Sequence, residues 1–386
     1  MKIAVVVNEL NIRGGTHKQV LRLCQYLKKE KIDFVLCTKY YEADKTYPEF
    51  KDFNILYLYT GTCGRTAAGR NIAKRIRNYV AEKKESRALY DLIPNDVNII
   101  NVHDVFLEDF IRLSTGKGKK VVWQINDLSP AFMVGASKTQ KDSLYKKYKR
   151  GEIKNIAEKV AKITVNVTKN KNRVKKFLNR DAEVLYCGVD RNSQLDRHHF
   201  EIKEQFNLLS MGVFFSYRNY ETLIEVIKSM REKGKNIRLN IIGNTELDKN
   251  YTNRIHSMIN EYGMKEFIKI CGQVDDKTYA ELFNQADAFA FVNIDQSWGL
   301  AVFEAMSCGL PAIVSNSVGA TELLHDGKDA IIVDPIDINA IEGVLGRLMT
   351  DRDYYDKISD NAFHIVKEYT WDSMYNSKMV EIFRNL

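Results

Sequence analysis

The chain has 386 residues, 58 of them Lys or Arg and 50 Asp or Glu, for a formal charge of +8. That length exceeds what one hydrophobic core usually fills, so two domains are expected. A 45% apolar and 28% charged composition excludes a disordered chain, and the longest apolar runs exclude a membrane span.

Charge and cysteine usage narrow the class further. Residues 1–190 hold 37 basic against 21 acidic side chains, a net of +16, whereas residues 191–386 hold 21 against 29, a net of −8. The first half is therefore expected to meet something anionic. Nucleic acid is not the expected partner, because no basic motif is interleaved with aromatic residues. Six scattered cysteines without a CxxC pair argue against a disulfide frame or a zinc site.

In chain order, "MKIAVVVNEL" is too short and too quickly polar for a signal peptide and reads as a buried first strand. The cytoplasm is the expected location. Gly14-Gly15 follow this strand and precede a helix carrying Val20, Leu21 and Leu23. Glycines there let backbone amides approach a ligand, and a helix start favours phosphate; a plain tight turn is the alternative. Further strands are expected at "DFVLCT" and "NILYLY". The segment "GRTAAGRNIAKRIRNYVAEKK" then sets Arg70, Lys74 and Arg77 on one helical face and Ile72, Ile76 and Val80 on another. With "GKGKK" and "YKKYKR", this suits peripheral contact with an anionic membrane, a lipid phosphate or an acidic glycan, or else is a solvated basic surface.

The strand "VNIINV" ends in His103-Asp104, and "KVVWQI" in Asn126-Asp127. Two neighbouring polar strand tips suggest the floor of a site that includes Asn126 and Asp127; a hydrogen-bonded loop histidine is the bland reading of His103. "KITVNV" and "EVLYCG" complete a first set of strands. Residues 191–205 are polar and aperiodic and read as a linker between a domain over 1–190 and a second over 206–368. A terminal helix over 369–386 is expected to pack back toward the first domain.

The second half repeats the pattern with "NLLSMG", "RLNIIG", "FIKICG", "AFAFVN", "PAIVSN" and "DAIIVD". Apolar strands alternating with helical segments mean an α/β fold of parallel sheets covered on both faces, one doubly wound sheet per half. Glycines 212, 243 and 272 close three of these strands, and Gly243 and Gly272 leave room for a flat base or ribose. Arg218 precedes a helix; it is either a diphosphate ligand or a surface arginine. In "IDQSWGLAVFEAM", amides at Gly299 and Leu300 offer a phosphate site. Glu304 lies a turn further in, placed either to accept both hydroxyls of a ribose or to face solvent.

The run "SWGLAVFEAMSCGLPAIVSNSVGATELL" resembles the nucleotide-sugar signature of retaining family 4 (group 1) glycosyltransferases. The resemblance extends to the GG loop, the strand-tip histidine, "CGVD", "GVFFSYRNYETLIE" and the terminal helix. It implies the GT-B architecture: two Rossmann-like domains facing across a cleft, the first holding a glycan or lipid-linked acceptor and the second a nucleoside diphosphate sugar. It implies transfer of a hexose-type sugar with retention, in cell-envelope polysaccharide or glycolipid synthesis, with no metal and no cofactor. The carried-over roles are Glu304 for the ribose, Arg218 for the diphosphate, and His103 near the reacting carbon. Gly14 and Gly15 fall near the phosphates, Gly272 and Val274 near the base, and Trp298, Gly299, Leu300 and Ala301 along the donor. Two positions depart from the family pattern. Gln296 stands where the first of two glutamates is usual, and Val213 where a second cation is usual. Glutamine keeps hydrogen bonds to sugar hydroxyls but lends no negative charge to an oxocarbenium-like state. A non-catalytic subunit that binds nucleotide or glycan is the alternative function.

Overall fold

Apolar β-branched runs become strands because most of them bury both faces under helices. A computed structural model describes residues 1–61, 72–103, 106–127, 132 and 144–386. Among these, the chain divides into two units, Met1–Cys187 with Trp371–Leu386, and Gly188–Thr370. Each is built on one parallel sheet.

Unit 1 contains β1 (Lys2–Glu9), β2 (Asp33–Tyr41), β3 (Ile55–Thr60), β4 (Ile99–His103), β5 (Lys120–Ile125), β6 (Lys162–Val165) and β7 (Glu183–Val184). Their spatial order is β3-β2-β1-β4-β5-β6-β7. The order reverses between β1 and β4, where Val7 pairs with His103. Ala4, Val6, Ile100, Val102, Val121 and Trp123 form the centre of its core.

Unit 2 contains β8 (Phe206–Met211), β9 (Ile237–Ile242), β10 (Ile268–Gly272), β11 (Ala288–Phe291), β12 (Ala312–Ser315) and β13 (Ile331–Val333). Their order is β10-β9-β8-β11-β12-β13, with the reversal between β8 and β11. Leu208, Leu239, Ile241, Ala290 and Ile313 lie in its core. Parallel doubly wound sheets bind ligands where strand order reverses, at the carboxyl ends of the strands. The sequence nominates residues at both reversals.

Residues 191–205 run as part of unit 2. His198 and Phe200 are buried there, and Arg197 bonds Ser359 and Asp360. The terminal segment joins unit 1 through a π-turn at Asp372–Asn376 and helix Ser377–Arg384, with Tyr375, Met379 and Phe383 buried. Arg70, Asp104 and the side chain of Ile72 lie outside the described residues. No described helix is long and apolar enough to cross a membrane.

Candidate functional site

In unit 2 the strand ends are pressed together. An added Cβ at Gly243 would lie 1.8 Å from the Gly212 carbonyl oxygen, and one at Gly212 would lie 2.6 Å from the Arg218 guanidinium carbon. Gly243 is therefore fixed by backbone packing, not by room for a base as its place in the sequence suggests. Gly272 holds φ +69° at the end of β10, a conformation that favours glycine, in open space. Val274 follows it, half-buried.

Arg218 folds over this ground. Its guanidinium lies 5.2 Å from the Tyr217 ring and 5.5 Å from Phe291, the last residue of β11. Asn293, with its amide oriented by the network, accepts from Arg218 Nη1 at 2.8 Å. Arg218 Nε is buried with no partner among the described residues. A cation with an unsatisfied donor, next to a strand reversal, suits an anionic ligand.

The loop after β11 is pinned from both sides. Ile294 N donates to Tyr217 O at 2.7 Å, and Asp295 N to Ser317 Oγ at 3.2 Å. Gln296 O accepts from Gly319 N at 3.1 Å, while its Oε1 is buried without a partner among the described residues. Trp298 is buried and stacks 5.1 Å from Phe303. Gly299, at φ +127°, begins helix Leu300–Ser307 with no side-chain cap. Four other helices of this unit begin at aspartates whose carboxylates cap them, namely Asp248, Asp275, Asp337 and Asp351. The amides around Leu300 and Ala301 thus lack the carboxylate its neighbours carry. Glu304 is half-buried one turn in, and accepts from Tyr279 Oη at 3.0 Å. At the start of another helix of this unit, Asp351 accepts from Tyr354 N at 2.9 Å and pairs with Arg347.

In unit 1 the reversal between β1 and β4 holds a different chemistry. Helix Gly15–Lys29 starts at Gly14, again without a side-chain cap. His103 is fully buried beneath the Tyr375 ring, 6.5 Å away, not a solvent-facing tip residue. Its Nε2 bonds Asn101 Oδ1 at 2.6 Å, and the Asn101 amide nitrogen donates to Val122 O at 3.3 Å. That second bond fixes Oδ1 as acceptor, so His103 carries its proton on Nε2. His17 Nε2 likewise donates to Glu9 O at 2.8 Å. Each histidine therefore turns a bare Nδ1 acceptor elsewhere, and neither Nδ1 has a partner among the described residues. Burial, and secondarily His17, hold His103 down at about 3, and burial also lowers His17. Both are neutral hydrogen-bond acceptors at ordinary pH, not acids.

Asn126 is committed to the scaffold. It donates to Thr16 Oγ1 at 3.1 Å and Gln19 Oε1 at 2.9 Å, fixing the glycine-led helix. Asp127 is exposed beside it. Sequence reasoning missed Asn293, Tyr279, His17 and Asn219. Only Asn219 carries a local signal, as an asparagine immediately before a helical run; in the structure it is buried at φ 56° and its amide ties Val292 O to Pro335 O. No group of three His, Cys, Asp or Glu among the described residues is placed to hold a metal ion.

Residues 192–364 match the family model described as Glycosyl transferases group 1. Sucrose synthase 1 of Hordeum vulgare is 27% identical over 240 residues, 56% of this chain and 28% of that protein. Capsular polysaccharide biosynthesis glycosyltransferase CapM of Staphylococcus aureus is 23% identical over 201 residues, 50% of this chain and 52% of the relative. The matched part thus spans about a quarter to a half of such relatives. Sucrose-phosphate synthase from Thermosynechococcus elongatus aligns with TM-score 0.78 at 15% identity, over 100% of this chain and 99% of its own. Anabaena Alr3699/HepE in complex with UDP and glucose aligns with TM-score 0.74 at 15% identity, over 99% of each chain. The fold is GT-B.

Proposed function

We propose that this chain, whose residues 192–364 match the model for group 1 glycosyl transferases, is a retaining family 4 enzyme of that group. It moves a hexose from a nucleoside diphosphate sugar to a glycan or lipid-linked acceptor in cell-envelope polysaccharide or glycolipid synthesis. One observation carries this reading. At the reversal of unit 2 lie a cation with an unsatisfied donor, an uncapped helix start and, one turn into that helix, a half-buried carboxylate. The UDP in the HepE structure supports the ligand class, and the name of CapM supports the pathway class.

In this mechanism Arg218 and the amides at Gly299–Ala301 take the diphosphate, and Glu304 accepts the ribose hydroxyls. Gly212, Gly272 and Val274 border the nucleoside, with Trp298 bracing the loop, and the buried Gln296 Oε1 accepts a hydroxyl of the sugar. On unit 1, Gly14 and Gly15 offer amides to an anion, and the bare Nδ1 of His103 is an acceptor for a hydroxyl. The bond from the anomeric carbon to phosphate breaks through an oxocarbenium-like state. The bond to the acceptor oxygen forms on the same face, and a phosphate oxygen takes the acceptor proton. Cationic and amide donors neutralise the leaving charge in place of a metal. The acceptor side includes Asp127. The chain works in the cytoplasm, held to the membrane surface by the basic face of unit 1.

A thermal-shift screen against nucleoside diphosphates and their sugar conjugates tests this, repeated with Glu304→Ala and, for transfer, with EDTA. We expect saturable stabilisation by one nucleotide, about 2.7 kcal/mol at a hundredfold excess over Kd, its loss in the variant, and transfer indifferent to EDTA. No stabilisation by any nucleotide sinks the donor site. Binding without transfer favours the second reading, a non-catalytic subunit, which Gln296 and Val213 motivate.

A further inference from the structure

Helix Asp276–Gln285 is the crossover from β10 to β11, two strands separated in the sheet by β9 and β8. It must traverse the sheet, and its first turn meets helix Leu300–Ser307. Asp275 Oδ1 accepts from Thr278 N at 2.8 Å and fixes that turn. There the Tyr279 hydroxyl donates to Glu304 Oε2 at 3.0 Å.

The Tyr279 ring is itself held. It lies 4.5 Å from Phe283, which stacks 6.1 Å from Phe289, which stacks 6.0 Å from Phe291. The Arg218 guanidinium covers Phe291. Four rings in series therefore connect the carboxylate at one end of the loop cluster to the cation at the other. Phe283 and Phe289 are fully buried, so the series has little freedom to shift.

We propose that Tyr279 is a positioning residue for the nucleotide ribose. Its hydroxyl holds the Glu304 carboxylate in the rotamer that accepts the 2′ and 3′ hydroxyls. This rests on the reading of Glu304 as the ribose ligand. A carboxylate offers about four acceptor sites, so the tyrosine bond leaves capacity for a diol. Without it, the carboxylate loses one of the contacts that fix its rotamer, and binding weakens by the added cost of ordering it. Preference for ribose over deoxyribose then depends on a hydroxyl that need not touch the ligand.

The test is calorimetric titration of the full chain with UDP, ADP and GDP and with their 2′-deoxy counterparts. The proteins are wild type, Tyr279→Phe, Glu304→Gln and the double variant. Phenylalanine keeps the stacking on Phe283, so the fold is expected to survive. For the nucleotide that binds, Tyr279→Phe should raise Kd about five- to twentyfold. It should shrink the ribose-to-deoxyribose ratio and add little in the Glu304→Gln background. A merely structural tyrosine would lower Tm and leave that ratio alone. If Glu304→Gln weakens binding but Tyr279→Phe leaves the ratio unchanged, this proposal is overturned and the donor site stands. If wild type binds none of the three, the donor site falls and the proposal with it.

Discussion

His103 sits neutral inside unit 1, and its proton affinity is a stability term. Its folded pKa of about 3 lies below the ordinary value near 6.5, and His198 is likewise lowered, to about 4, chiefly by burial. Above pH 6.5 both states of the chain leave these rings unprotonated and nothing changes. As pH falls from 6.5 toward 4, the unfolded chain binds protons that the folded one refuses. Stability then drops by roughly 1.4 kcal/mol per pH unit for each such histidine. Urea midpoints between pH 7 and 4.5 should fall more steeply for wild type than for His103→Gln; parallel slopes would show that His103 is not buried neutral. The strand-tip position of this residue is legible in "VNIINVHD", because an apolar strand ending in a polar residue marks a carboxyl end. Its burial is not legible, because the covering ring is Tyr375, far along the chain. Tyr279 escaped for the same reason: its partner Glu304 belongs to another helix.

Helix Ile72–Asp91 shows how an element can be locked on one side and open on the other. Lys39 on β2 is fully buried and pairs with Glu82 and with Glu85, the latter at 3.8 Å, while Tyr40 donates to Glu85 at 3.2 Å. A buried charge that loses its partner costs about 3–5 kcal/mol, so these contacts hold the helix against the sheet. Its outer side exposes Ile76 at 59% and Val80 at 48%, next to an exposed Arg77. Helix Leu144–Lys159 adds an exposed Tyr148, and its Lys149 lies 6.0 Å over the Tyr79 ring. Exposed aliphatics among cations suit shallow insertion into an anionic surface. Vesicles of phosphatidylglycerol should sediment the wild type at low salt, and Ile76→Ser with Val80→Ser should weaken that about tenfold or more. Equal sedimentation of both proteins would reduce the patch to a solvated surface. The thirteen strands among the described residues were legible because most centre on apolar residues between polar turns. The cap chemistry was less so, since only geometry separates an aspartate that caps from one that is merely exposed.

The whole molecule is two sheets, but its division does not follow the order of the chain. Unit 1 closes only when Trp371–Leu386 returns to it, bringing Tyr375 against His103 and burying Met379 and Phe383. Removing residues 371–386 should therefore expose unit 1 and spare unit 2. Hydrogen exchange should accelerate in β1, β4 and β5 while β8 and β11 keep their protection; uniform protection after truncation would refute this. The two-domain pattern was readable from strand counts and the charge asymmetry. The return of the tail was suggested by its amphipathic face, although nothing in its letters names Gln124, whose amide oxygen meets the Tyr375 hydroxyl at 3.4 Å. This threading also orders events on the ribosome. Unit 2 is one unbroken stretch and has all its residues as soon as Thr370 emerges, whereas unit 1 is synthesised first and completed afterwards. At about 5–20 residues per second, the 183 residues from Gly188 to Thr370 impose a wait of roughly 10–40 s. Through that interval the seat of Tyr375 beside His103 stands open, and the nascent first half is a natural client for a chaperone.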